Sequence, residues 1–216
     1  MSNRSDSHTN INNYALAVLL SVKISAYKGN IPRNHILDII KKYRTDLPPG
    51  IKHDYGSWEK IKTQVSYVLT QLRSKIKKIS ILSNQNIFAL AQQIVKDTPC
   101  RPTVQLCAQV AIMASVVFFS CQLPSDIPRQ RKVHRECEGS DRYWNRIDDR
   151  LEFIRKTADS SATKVSKAFN AILKADRELY GADDDYEIKD TPLDEFQQRV
   201  DDVVTGVVAP ESGTPY

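Results

Sequence analysis

The chain of 216 residues is 41 % hydrophobic and 26 % charged, with 7 glycines and 10 prolines, which excludes collagen-like, low-complexity and disulfide-scaffold classes. A chain of this size hides roughly 70 % of the surface its unfolded form exposes, so neither metal nor disulfide is needed to hold it together. The net charge of +5 is unevenly laid out: residues 1–100 carry 15 Lys and Arg against 6 Asp and Glu (+9), residues 101–175 carry 13 against 8 (+5), and residues 176–216 carry 3 against 12 (−9). Such asymmetry speaks about partners rather than fold. It fits an acidic end lying against a basic body, and equally a basic surface for nucleic acid guarded by an acidic tail.

In chain order, residues 1–11 are polar and aperiodic and read as a disordered leader. From Asn12 the apolar positions Ala15, Val18, Leu19, Val22 and Ile24 suit one helix face, with Gly29 where a C-cap glycine would stand. The stretch from Tyr14 to Val22 is short, runs into Lys23 and has no small-residue cleavage pattern, so secretion is not expected and the four cysteines should be reduced thiols of the nucleus or cytoplasm. Pro32 opens a second helix with Ile36, Ile39 and Ile40 inward, stopped by Leu47-Pro48-Pro49-Gly50.

Ser57 is the predicted cap of a long third helix, in which Ile61, Val65, Val68, Leu72, Ile76 and Ile79 recur at steps of 4, 3, 4, 4 and 3. A fourth helix fits Asn86 to Lys96, ended by Pro99. Val104 to Leu123 contains no charged residue and 15 apolar positions of 20, so it is either a central helix buried on all sides or a membrane span. Gln105, Gln109, Ser115, Ser120 and Gln122 spread polar groups along it, and basic residues flank both ends, which favours the buried helix.

The charged segment 124–140 reads as a boundary between a basic helical part, 12–123, and a C-terminal three-helix part, 141–205, followed by a frayed tail, 206–216. Ser140 and Asp141 start a helix with Trp144, Ile147, Leu151 and Ile154 inward; Arg142, Arg146 and Arg150 recur on it at i, i+4 and i+8, near Asp148, Asp149 and Glu152, as an expected intrahelical ion-pair lattice. A helix opened by Ser160 or Ser161 closes at Gly181, and Thr191-Pro192 with Asp194-Glu195 announces a last one with Phe196, Val200 and Val203 inward. The expected fold is all-α, a bundle of about eight helices around the apolar helix 104–123.

No motif defines a chemistry. His134-Arg135-Glu136 has the H-x-E half of a zinc deaminase site but lacks a downstream P-C-x-x-C to complete the coordination. Cys121, His134 and Cys137, with Cys100, Cys107 or His53 as a fourth ligand, lack the two close pairs that announce a zinc module. There is no nucleophile elbow and no phosphate-cradling glycine loop. No catalytic residue, cofactor or metal is therefore assigned, and the chain is read as a non-enzymatic binding protein.

The strongest signal is cationic. The third helix carries Lys60, Lys62, Arg73, Lys75, Lys77 and Lys78 against a single acid, Glu59, and residues 129–135 add Arg129, Arg131, Lys132 and Arg135. Dense Lys and Arg can contact phosphates without reading sequence, which makes nucleic acid or chromatin the first expected partner. The plainer alternative is a solvated face whose last-turn cations satisfy the helix dipole. A protein-interaction scaffold is the alternative function, and a single-span membrane association the lesser one.

The run Gln71-Leu72-Arg73-Ser74-Lys75-Ile76-Lys77-Lys78, the segment Trp144 through Arg155, then Ile172-Leu173, Asp176-Arg177, Tyr180-Gly181, Asp185-Tyr186-Glu187-Ile188 and Phe196-Gln197 together resemble uncharacterised proteins of basidiomycete fungi. The resemblance extends over about residues 55–205. It implies helical architecture and a fungal origin, and its motifs are packing and capping motifs that supply no functional residue.

Overall fold

A computed structural model describes residues 3–43, 54–82, 86–115, 140–158 and 194–206, with single positions between 161 and 178. Every regular element among them is helical: α1 (Asn3–Leu20), α2 (Ile31–Tyr43), α3 (Tyr55–Leu82), α4 (Ile87–Val95), α5 (Val104–Ser115), α6 (Ser140–Thr157) and α7 (Glu195–Val204). The described positions Thr163, Lys164, Lys167, Ala168, Asn170, Ala171, Lys174 and Glu178 are helical as well. The class is all-α. No helix among the described residues is long and apolar enough to cross a membrane.

Helix ends follow side-chain caps that periodicity alone misjudges. α1 begins at Asn3 rather than Asn12, so residues 3–11 are its first turns and not a leader; it stops at Leu20, which leaves Val22 and Ile24 in the connector 21–30. Gly29, at φ +69°, turns the chain ahead of α2 instead of capping α1. The cap of α3 is Asp54, not Ser57: its carboxylate accepts from the Ser57 amide (3.2 Å) and the Ser57 hydroxyl (2.6 Å). Asn86 caps α4 by accepting from the Ala89 amide (2.9 Å), and that helix ends at Val95, before Pro99, as Asp97 enters the left-handed region at φ +66°. Asp194 caps α7, accepting from the Phe196 amide (3.0 Å).

Buried residues from Ile11 to Val200 form one cluster, so the described elements on both sides of 124–140 share a core. α1, α2 and α3 pack on one another, and α7 returns from the far end of the chain to close against α1 and α2. Tyr14 stacks on Phe196 at 5.3 Å, Gln197 Nε2 donates to the Ala17 carbonyl (3.1 Å), and the Tyr43 hydroxyl donates to the Arg199 carbonyl (3.4 Å). α5 packs against α1, α3, α4 and α6, and its residues 106–114 are buried without interruption. Residues 116–123, the second half of the predicted apolar helix, lie outside the described residues. Ala15 to Leu20 of α1 are equally buried, because α2, α3, α5 and α7 all contact that helix.

Candidate nucleic-acid interface

The buried face of α3 is built by Val65, Val68, Leu69, Leu72 and Ile76, with Ile61 and Ile79 partly buried at its ends. This fixes where each cation points. Lys60, Lys75 and Lys78 are exposed. Lys62 is turned aside to Glu59, at 2.5 Å, and the Lys77 ammonium sits over the Tyr143 ring, 5.5 Å from its centroid. Arg73 is half-buried, with Nε and one terminal nitrogen lacking hydrogen-bond partners; burial lowers its pKa, and nearby Asp148 opposes the shift. Of the six cations expected to form one phosphate-binding face, three are therefore exposed, while Lys62 is paired with Glu59, Lys77 lies over Tyr143 and Arg73 is half-buried. Arg129, Arg131, Lys132 and Arg135 lie outside the described residues, as do His53, Cys121, His134 and Cys137.

What remains on the outer face of α3 is coherent. Lys60, Tyr67, Gln71, Ser74 and Lys78 follow one another at intervals of 7, 4, 3 and 4 residues, a line along one side of a helix, with Lys75 beside it. All are exposed, Tyr67 to 59 %. From Lys60 to Lys78 is about 27 Å at 1.5 Å per residue. The single carboxylate of α3, Glu59, is occupied by Lys62. Trp58 takes no part in this line: it packs against the core, with the Lys41 ammonium 5.7 Å above its ring.

Elsewhere the charges serve the fold. Asp148 of α6 accepts from the backbone amides of Tyr27 (2.6 Å) and Lys28 (3.2 Å), and Arg155 donates to the carbonyls of Ile24 and Ser25 (3.1 Å for the latter). The 21–30 connector is thus clamped by an acid and a base seven residues apart on α6. Burial raises the Asp148 pKa against the two amides and Arg73, which lower it. Of the acids beside the arginine ladder of α6, Glu152 pairs with Lys156 (2.6 Å) and Asp148 serves the connector, and the Arg150 guanidinium lies over the Phe153 ring. Sequence spacing could not reveal the clamp, since its partners are over 100 residues away.

A cleft of about 430 Å³ opens between the connector, the start of α5 and α7. Asp194, Asp201 and Asp202 line it with Lys23, which makes it repellent to phosphate. Asp201 accepts from the Ser21 hydroxyl (2.6 Å) and Gln197 Nε2 (3.0 Å), yet burial raises its pKa above the ordinary 3.8, helped by Asp202 and opposed by both hydrogen bonds and Lys23. The folded state therefore holds this proton more tightly than the unfolded chain. The contribution of Asp201 is fully present below pH 3.8 and is lost as pH rises through its folded value. Asp201→Asn is expected to flatten the stability profile above about pH 4 and to match or exceed the parent at neutral pH. Urea unfolding across that range checks this, and a variant with the parental slope contradicts it.

Among the described residues no group of three His, Cys, Asp or Glu side chains is disposed to hold a metal ion. Cys100 and Cys107 are buried, and burial pushes the Cys100 thiol up to about 12. No family model, curated protein or solved structure matches the chain.

Proposed function

We propose that this protein is a non-enzymatic helical binding protein that associates with nucleic acid or chromatin through the outer face of α3, in the nucleus or cytoplasm. The observation that carries this reading is a line of exposed lysines about 27 Å long on which the helix presents no unpaired carboxylate. Lys60, Lys75 and Lys78 would contact phosphates, and Arg129, Arg131, Lys132 and Arg135 would extend the contact. Ammonium groups on flexible stems neutralise phosphates as point charges and do not read base edges, so the expected binding is sequence-tolerant. In the same reading the molecule is a bundle of about eight helices, with α5 continued towards residue 123 as its apolar axis.

A scaffold that binds proteins through apolar surface has less support. Among the described residues the large exposed apolar side chains Ile31, Tyr55, Tyr67 and Phe153 are spread over α2, α3 and α6, and single exposed apolar residues are ordinary on a protein surface. The test is binding of a labelled oligonucleotide by the parent and by the Lys75→Glu, Lys78→Glu double variant. A loss of at least about 10-fold at low salt is expected, because two phosphate contacts become two repulsions. Equal binding by both chains, or binding by neither, refutes the proposal.

A further inference from the structure

Building on the reading above, we infer that the ligand of the α3 face is a single strand, one of whose unpaired bases stacks on the ring of Tyr67. Tyr67 lies on the line of Lys60 and Lys78, seven residues beyond the first and eleven before the second, about 10 and 16 Å away along the helix. A phosphate backbone held by lysines on both sides would pass directly over it. Tyr67 is 59 % exposed, and its immediate neighbours on the line, Gln71 and Ser74, are polar. Nothing in the packing of α3 requires an aromatic residue there, since the buried stripe runs along the opposite side.

A duplex cannot use this ring, because its bases are already stacked and face one another inside the helix. Each base of a single strand has an open π-face, and stacking on an aromatic side chain is tolerant of sequence. The cations on the line are lysines alone, which neutralise phosphates as point charges and leave the aromatic ring between them as the group that can engage a base. A line of about 27 Å is a length that a short run of single-stranded nucleotides can follow, as at small single-strand sites.

The experiment measures fluorescence anisotropy of an oligothymidylate and of a hairpin duplex with the parent, Tyr67→Ala and Tyr67→Phe, each checked for folding by circular dichroism. Tyr67→Ala is expected to weaken single-strand binding roughly 5- to 150-fold and to leave duplex binding unchanged, while Tyr67→Phe keeps the parental affinity because the ring and not the hydroxyl is used. If Tyr67→Ala binds the single strand as the parent does, or if the duplex is bound more tightly than the single strand, the stacking inference fails while phosphate binding by α3 stands. If neither nucleic acid binds at low salt, both fall together.

Discussion

Replacing Trp144 by alanine is expected to destabilise the protein by about 3–5 kcal/mol, the range for deleting a large aromatic from a core. Trp144 is 3 % exposed and lies between two tyrosine rings, Tyr27 at 5.2 Å and Tyr143 at 5.0 Å in an edge-on arrangement. Tyr27 belongs to the connector and reaches α5 by accepting a hydrogen bond from Gln109, while Tyr143 reaches it by donating to the Met113 carbonyl (3.1 Å). Removing the indole opens a void where α5, α6 and the connector meet. The indole nitrogen has no hydrogen-bond partner, so the side chain acts through packing, and Trp144→Phe should recover more than half of the loss. Guanidinium unfolding measures both; a shift under about 1 kcal/mol for the alanine variant would contradict the three-ring cluster as the joint.

Asp148→Ala is expected to cost about 2–4 kcal/mol, since two backbone donors, the amides of Tyr27 and Lys28, lose their acceptor together. Partial access of water to the site holds the figure below the sum for two fully buried amides. Asp148→Asn keeps one carbonyl oxygen and should lose about half as much. The same variants should accelerate amide hydrogen exchange at Tyr27 and Lys28 before the core of α3 exchanges, because the connector is held by its clamp and not by a regular ladder. Alanine and parent unfolding at the same denaturant concentration would show that Arg155 alone suffices.

Helix identity was legible in the sequence where a single face is buried. Of the 4, 3, 4, 4, 3 spacing of α3, Val65, Val68, Leu72 and Ile76 are buried and Ile61 and Ile79 partly so, and the Trp144, Ile147, Leu151, Ile154 stripe of α6 is buried throughout. α1 is different: a helix enclosed on all sides shows no stripe, so Ala15 to Leu20 read as part of a pattern extending to Ile24, and the connector that truncates it was invisible. The cap of α3 is read three residues late, at Ser57, whose own amide and hydroxyl are the donors that Asp54 accepts. At the candidate site, composition identified the basic helix but not its exposed subset. Lys62, Arg73 and Lys77 are diverted to Glu59, the neighbourhood of Asp148 and the ring of Tyr143, and two of those three partners lie on α6. The exposed line with Tyr67 at its middle can be drawn from helix spacing alone, once the inward stripe is known.

The salt dependence of oligothymidylate binding by the intact chain bears most directly on the proposed role of α3. Three lysines engaging three phosphates of a single strand predict that log K falls against log salt with a slope of about −2, or steeper if the 129–135 cations join, and that the slope shrinks towards zero in the Lys75→Glu, Lys78→Glu variant. A parent whose affinity is indifferent to salt, or whose slope survives that double change, would contradict it.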